Sequence, residues 1–345
     1  MSEAVAVAHP NIALTKYWGK RPGAGRFPAV PSLSVTLAGL STRTRVRFDE
    51  ALAADRVVLN GVPADGDVEA RAVELLDRVR AASGDPRFAE VESRNDFPTA
   101  SGLASSASGF AALALAAARA SGLAWDPARV SDLARQSSVS AARSLFGGYV
   151  ELDAGTVACG SPASDFLAAR PIAPGAHLPL AVLVCVTSEG PKAIGSTTGM
   201  QTTLNESPYA EAWLSHAPRL HARLRAALLA RDFAAMGALA ESSALAMHAS
   251  AIAAGVVYWT GATLEALQAV RGLRAAGVLA FATVDAGPHV KILVQPEDAA
   301  RVKATAGAVP GVRRVIEASI GEGARIEARA VGARAEAGVG AAKAS

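Results

Sequence analysis

Cysteine and aromatic side chains are scarce in this chain, and what is missing narrows its class before any motif is read. The two cysteines, Cys159 and Cys185, stand far apart among 345 residues in no metal-ligand spacing. They exclude a disulfide framework or a zinc site and read as buried thiols of a reducing cytoplasm. No stretch approaches the roughly 18 uninterrupted apolar residues of a membrane span. The opening MSEAVAVAHPN carries no basic leader, its apolar run being broken by His9 and Pro10, so a cytoplasmic protein without a membrane partner is expected. Dense basic runs with interleaved aromatics are also absent. The formal charge of +3 is spread over scattered arginines such as Arg219, Arg223 and Arg225, which argues against nucleic acid and suits a small anionic substrate. No internal repeat recurs at a fixed period.

What is there is a globular composition, 51% hydrophobic and 19% charged, on a chain long enough for two domains. The first part alternates strand-like and helical patterns. Strands are expected at Ala4–Ala8, Ser34–Leu37, Arg43–Phe48, Val57–Leu59, Glu90–Ser93 and Tyr149–Leu152, with helices at Val68–Ala82, Ser105–Ala120 and Pro127–Gln136. The wholly apolar run Leu180–Val186 reads as a buried strand at the boundary. Beyond it lie helices at Tyr209–Ala230, where Pro218 should kink or split the helix, Phe233–His248 and Thr260–Ala276. Strands at Leu279–Val284 and Val290–Val294, a helix near Pro296–Ala306, and strands at Val312–Ile316 and Arg325–Ala330 complete the pattern. The division expected is an N-terminal lobe over residues 1–187, a C-terminal α+β lobe over 188–332 with helices on one face of an antiparallel sheet, and a tail over 333–345.

The segment FPTASGLASSASG, Phe97 to Gly109, carries the clearest local chemistry. A helix beginning directly after a glycine turn leaves backbone N–H groups and the positive dipole end aimed at the loop. Ser101, Ser105, Ser106 and Ser108 add hydroxyl donors, so a triphosphate fits. The same residues also read as a serine-capped helix with no ligand. No Gly-Lys-Ser/Thr follows, which excludes a Walker loop. A Pro-x-x-x-Gly-Leu-Ala-Ser-Ser-Ala core of this kind resembles the ATP loop of the galactokinase, homoserine kinase, mevalonate kinase and phosphomevalonate kinase superfamily.

Four further segments resemble the diphosphomevalonate decarboxylases within that superfamily. HPNIALTKYWGKR, His9 to Arg21, taken alone is a strand and a turn bearing two lysines. The resemblance puts Lys16 at the reacting centre and Tyr17 and Lys20 on the substrate's phosphoryl groups. SSVSAARSLFGGYVELD, Ser137 to Asp153, is similar to the family's serine-rich loop, with Ser138 and Ser140 on the phosphoryl chain and Arg143 gripping a carboxylate through its planar fork. PKAIGSTTGM, Pro191 to Met200, looks like a third phosphate-handling loop, with Lys192 meeting ATP and Ser196 the substrate. FATVDAGPHVKILV, Phe281 to Val294, ends an apolar strand on Asp285, which is a common turn-former by itself and by resemblance lies nearest the substrate's 3-hydroxyl.

The resemblance implies a two-domain small-molecule-kinase fold with a βαβ-containing N-terminal lobe and the site in the cleft between lobes. Gly102, Leu103, Ala104, Ser105, Ser106, Ser108 and Lys192 would hold ATP with Mg2+. Asp285, Lys16 and Arg143 would drive phosphorylation of the 3-hydroxyl of mevalonate 5-diphosphate and loss of carbon dioxide. A homodimer is the family expectation. Val30 and Pro31, Ser137 and Val139, His289, and AIAAGVVYWTG (Ala251 to Gly261) depart from the family pattern. These keep open a decarboxylase of mevalonate 5-phosphate, a 3-kinase without decarboxylation, and a non-catalytic binding protein. Tyr258 and Trp259 read as core or lid residues.

Overall fold

The computed structural model describes residues 2–21, 26–97, 105–154, 166–190 and 193–328. The chain opens with β1 (Glu3–Ala8), β2 (Asn11–Thr15), β3 (Ser32–Thr36), β4 (Thr42–Asp49), β5 (Arg56–Leu59), β6 (Val62–Pro63), α1 (Gly66–Ser83) and β7 (Phe88–Asn95). There follow α2 (Ser105–Ala120), α3 (Pro127–Ser137), a 3-10 turn (Val139–Leu145), β8 (Tyr149–Leu152) and β9 (Arg170–Ala173). The rest comprises β10 (Ala181–Val186), α4 (Ser196–Glu206), α5 (Ala210–Leu229), α6 (Phe233–Ala253), α7 (Gly261–Ala275), β11 (Ala280–Val284), β12 (Val290–Val294), α8 (Ala299–Gly307), β13 (Arg314–Ala318) and β14 (Arg325–Ile326).

Three sheets organise these elements, in the orders β14-β1-β4-β7-β5-β6, β2-β3-β8-β9 and β11-β12-β10-β13. In the first, β5 and β7 run parallel around α1, the βαβ unit expected. Strand β4 alternates cleanly: Thr42, Thr44, Val46 and Phe48 point inward, while Arg45 and Arg47 pair with Glu3, Glu90, Glu92 and Asp49 outside. That alternation is what a sheet with one dry face requires. The alanine-rich α2 packs on β1 and β4, its small side chains giving a close approach. This fixes the N-terminus of α2 relative to the sheets.

Three expectations change. Helices cover both faces of the third sheet: Ala181, Leu183 and Cys185 face α7 and α8, whereas Val182 and Val184 face the core shared with α5, α6 and the second sheet. A wholly apolar strand is buried on both sides, and this one is. Helix α5 also runs unbroken through Pro218, whose ring lies on the solvent face, where water can replace the hydrogen bond proline cannot donate. Strand β10 pairs with β12 and β13, so Ala181–Val186 belongs with the C-terminal strands, on the far side of the division expected at 187/188. Strand β14 returns to pair with β1, tying the end of the described chain to its start.

Candidate active site

Lys16, Arg143 and Asp285, from three separate segments, meet at one end of a cavity of about 670 Å3, with Lys291 paired to Asp285 outside its lining. Directly after β2 comes Lys16, whose backbone N–H donates to Ser243 Oγ on α6 (3.0 Å) and whose Nζ donates to the Ala13 carbonyl (2.8 Å). The same Nζ lies 2.5 Å from Asp285 Oδ1. Asp285 leaves β11 at a tight turn, its carbonyl accepting from the Gly287 N–H (2.7 Å), and its Oδ2 meets Lys291 Nζ of β12 at 3.0 Å. Burial pushes the Asp285 carboxyl up, but Lys16 and Lys291 pull it down further, well below the usual carboxylate range. Burial lowers Lys16 to about 8 in spite of Asp285.

Arg143 stands in a different position. Its Nε donates to Ser34 Oγ (3.0 Å), its Nη1 to Ser32 Oγ (2.6 Å) and its Nη2 to Asn11 Oδ1 (3.4 Å). Asn11 is itself anchored to the Ser140 carbonyl and Ser144 Oγ. The guanidinium is 2% exposed and lines the cavity, yet among the described residues it has no carboxylate partner. Burial pulls it down to about 10, still a cation at neutral pH. A buried, oriented arginine held by neutral oxygens alone is a receptor for an anion.

The other end of the cavity is lined by Tyr17, Lys20, Arg26, Asp67, Arg71, Ser105, Ser106, Ser138, Ser140, Ser196 and Thr197. Lys20 Nζ donates to Thr197 Oγ1 (3.1 Å), joining the loop after β2 to the start of α4. The Tyr17 hydroxyl is buried without a hydrogen-bond partner among the described residues, and burial drives its pKa up. Ser105 and Ser106 open α2 directly on the cavity. Ser108 does not reach it. Its hydroxyl is wholly buried, 2.6 Å from Thr42 Oγ1 and 3.3 Å from the Ser105 carbonyl. Gly102, Leu103, Ala104 and Lys192 lie outside the described residues, as does Cys159.

A family model described as "Diphosphomevalonate decarboxylase-like N-terminal domain" matches residues 8–163, and one described as "Mevalonate 5-diphosphate decarboxylase C-terminal domain" matches residues 182–326. The chain is 36% identical to diphosphomevalonate decarboxylase mvd1 of Aspergillus fumigatus over 330 residues, covering 89% of this chain and 80% of that protein. The chain belongs to the diphosphomevalonate decarboxylase family. It is similar in structure to the mevalonate diphosphate decarboxylase of Staphylococcus aureus, with a TM-score of 0.88 and 34% identity, covering 95% of this chain and 98% of that one. A structure described as MDDEF in complex with MVAPP, AMPPCP and magnesium matches with a TM-score of 0.87 and 35% identity, covering 94% of this chain and 98% of that one.

Within the family frame, the departures noted in the sequence acquire physical readings. Val30 is fully buried in a cluster with Trp18, Met200, Met247 and Tyr258, of which Trp18, Met200 and Met247 line the cavity. Tyr258, 7% exposed, packs edge-on to Trp18 and His248 and is a core residue, while Trp259 is half-buried and lies tilted against His248. Gly199 of α4 sits directly on the Tyr258 hydroxyl and Trp18, where any Cβ would collide. That contact seats the N-terminus of α4, and hence Ser196 and Thr197, at the cavity. His289 accepts from the Thr187 N–H (3.2 Å) and belongs to the strand junction behind Asp285.

Sequence reading missed Lys291, Asn11, Ser32, Ser34, Arg26, Arg71 and Thr197 at this site. A signal existed for three of them. Lys291 is the one charged residue in the apolar run VKILV, and Ser32 and Ser34 alternate with the apolar Leu33 and Val35. Arg26 and Arg71 gave none, since they reach the site through long side chains from a loop and from α1.

Proposed function

We propose that this chain catalyses the ATP-dependent decarboxylation of mevalonate 5-diphosphate to isopentenyl diphosphate, releasing ADP, phosphate and carbon dioxide. The observation that carries this reading is Arg143, a buried guanidinium with no carboxylate partner among the described residues, lining the same cavity as the Lys16–Asp285 pair. A kinase site needs the second feature. A decarboxylase needs both, because the departing carboxylate must be held in line.

The residues present fit ATP and magnesium. The N-terminus of α2, with the hydroxyls of Ser105 and Ser106 on the cavity, suits a triphosphate. The described residues contain no group of three or more His, Cys, Asp or Glu side chains that could hold a metal ion by themselves. Magnesium binds chiefly through phosphate oxygens and water with few protein ligands, so this donor set suits it. When bound, the ion neutralises charge on the triphosphate. Gly102, Leu103, Ala104 and Lys192 complete the proposed ATP contacts.

Tyr17, Lys20, Ser138, Ser140 and Ser196 would hold the substrate's diphosphate, and the added cations Arg26 and Arg71 favour it over a monophosphate. Asp285, ionised at neutral pH, accepts a hydrogen bond from the 3-hydroxyl and takes its proton as the new O–P bond forms. Its low proton affinity fits a late transfer along a loose phosphoryl-transfer path. Lys16 faces the transferring group and offsets its charge. Departure of the 3-phosphate then draws the C–C bonding pair from the carboxylate held by Arg143, which leaves as carbon dioxide.

The same reading carries a cytoplasmic homodimer, with the N-terminal lobe ending ahead of β10; the tail expected over 333–345 lies outside the described residues. The buried thiol of Cys185, driven up to about 12 by burial, is consistent with a reducing compartment. No described helix is long and apolar enough to cross a membrane. Light scattering on the purified protein tests the assembly. Activity is tested by offering ATP, magnesium and mevalonate, its 5-phosphate or its 5-diphosphate, and measuring ADP and carbon dioxide together. Both products with the diphosphate are expected. ADP alone would leave a kinase, and both products with the monophosphate would move the specificity.

A further inference from the structure

Lys291 is the second residue of β12, which runs between β10 and β11, and lies opposite Val184 and Thr283. It is fully buried, and every other residue of the strand is apolar. An ammonium in such surroundings is strongly unfavourable without an opposite charge. Among the described residues its one ion pair is with Asp285, and its Nζ has no further hydrogen-bond partner. Lys291 does not line the cavity, whereas Lys16 and Asp285 do. The two lysines therefore hold the two carboxylate oxygens from opposite sides, one from within reach of a ligand and one from behind it.

We propose that Lys291 is the positioning residue of Asp285: it keeps Oδ2 permanently, so that Oδ1 alone turns to the substrate when Lys16 shifts to the transferring phosphoryl group. The inference rests on the functional reading above and adds to it a division of labour between the lysines. The charged and titratable groups that act on Asp285 are Lys16 beyond β2, Arg143 from the 3-10 turn, His248 from α6 and Lys291 from β12. Burial, with Lys16 adding to it, lowers His248 to about 4, so it carries no charge at neutral pH. Arg143 is committed to the substrate carboxylate and Lys16 to the phosphoryl group. Lys291 is the cation that remains. Lys291 acts on Lys16, Cys185 of β10, His248 and His289, and none of these is a carboxylate that could pair with it in place of Asp285.

The test is carboxyl NMR on the full chain labelled with 13C-aspartate, the Asp285 signal being assigned by its loss in Asp285→Asn. In the wild type Asp285 stays ionised from pH 8 down to about pH 4, whereas Lys291→Met lifts its titration into that window, a gain in proton affinity of at least about tenfold. Lys291→Gln carries the same comparison if the methionine variant does not fold, and Lys291→Arg, which keeps the charge, leaves Asp285 ionised. In turnover, Lys291→Met lowers kcat at least tenfold with KM for ATP within about threefold, because the residue touches neither ligand. An Asp285 titration unchanged in the folded methionine or glutamine variant overturns the proposal. Wild-type protein inactive on all three mevalonates would instead sink the functional reading, while the NMR comparison still decides the role of Lys291.

Discussion

The two ends of the cavity are built on opposite principles. At the reacting end Lys16, Arg143 and Lys291 are almost wholly buried, and each is fixed by partners from other segments: Ser243 and Ala13 for Lys16, Ser32, Ser34 and Asn11 for Arg143, Asp285 for Lys291. At the phosphate end Arg26 has 30% and Arg71 17% of its side chain exposed, and they share a backbone acceptor, the Ser137 carbonyl. One end holds charge in place before any ligand arrives. The other offers cations and hydroxyls that can rearrange around phosphates. Fixed dipoles and charges matter most where charge moves in the transition state, and adaptable ones suffice where a polyanion is only held. Substitutions at the reacting end should therefore lower kcat, and those at the phosphate end should raise KM.

The sharpest break comes from Asp285→Asn, which keeps the shape and removes the charge. It should lower kcat at least about 100-fold, within the usual range for loss of a proton acceptor, while calorimetry still detects binding of ATP and substrate. Retention of more than a tenth of the wild-type rate would remove Asp285 from the reacting centre. Arg143→Gln comes next, with a loss of about 100-fold in carbon dioxide release. It should also separate the products, ADP formation falling less than carbon dioxide. Equal losses would place Arg143 in substrate binding at large, not at the departing carboxylate.

The pH dependence sharpens the comparison further. Burial lowers Lys16 to about 8, and the ammonium is the form that can offset phosphoryl charge. Protonated Lys16 is present below that value and lost as pH rises through it. kcat/KM, which reports the free enzyme, should fall tenfold per unit above about pH 8. Lys16→Arg should abolish that limb even if it lowers the plateau. A wild-type profile flat to pH 10 would show that Lys16 does not titrate where its burial puts it.

The sequence was legible where a residue type and its neighbours together have one good structural use. Glycine before a serine-rich, alanine-rich run located the start of α2, and Ser105–Ala120 is where the helix lies. Lys16, Arg143 and Asp285, named from three segments by resemblance, line one cavity. What stayed hidden depends on how sheets stack. Nothing local tells that Ser32 and Ser34 face Arg143 rather than solvent, since alternation fixes which residues share a face but not what covers it. Lys291 was hidden for a related reason: a lysine in an apolar strand reads as an edge position until β10 and β11 are seen on either side. The missed second helix layer on the third sheet follows from that same blindness to stacking.

Ser108 gives the smallest effect and the finest distinction at the phosphate end. Thr42 Oγ1 donates its single proton to Asn95 Oδ1 at 2.5 Å, and the one proton of the Ser108 hydroxyl is shared between Thr42 Oγ1 at 2.6 Å and the Ser105 carbonyl at 3.3 Å, which leaves none for a phosphate. Ser106, at the mouth of α2, is under no such commitment to the β4 strand. Ser106→Ala should therefore raise KM for ATP about 3- to 10-fold, the value of one lost hydrogen bond to an anion. Ser108→Ala should leave KM within about twofold and cost about 1 kcal/mol of stability, read by denaturant unfolding. A KM effect of Ser108→Ala as large as that of Ser106→Ala would mean that α2 turns its buried face toward the nucleotide when ATP binds, and the phosphate end would then be more plastic than its helix packing implies.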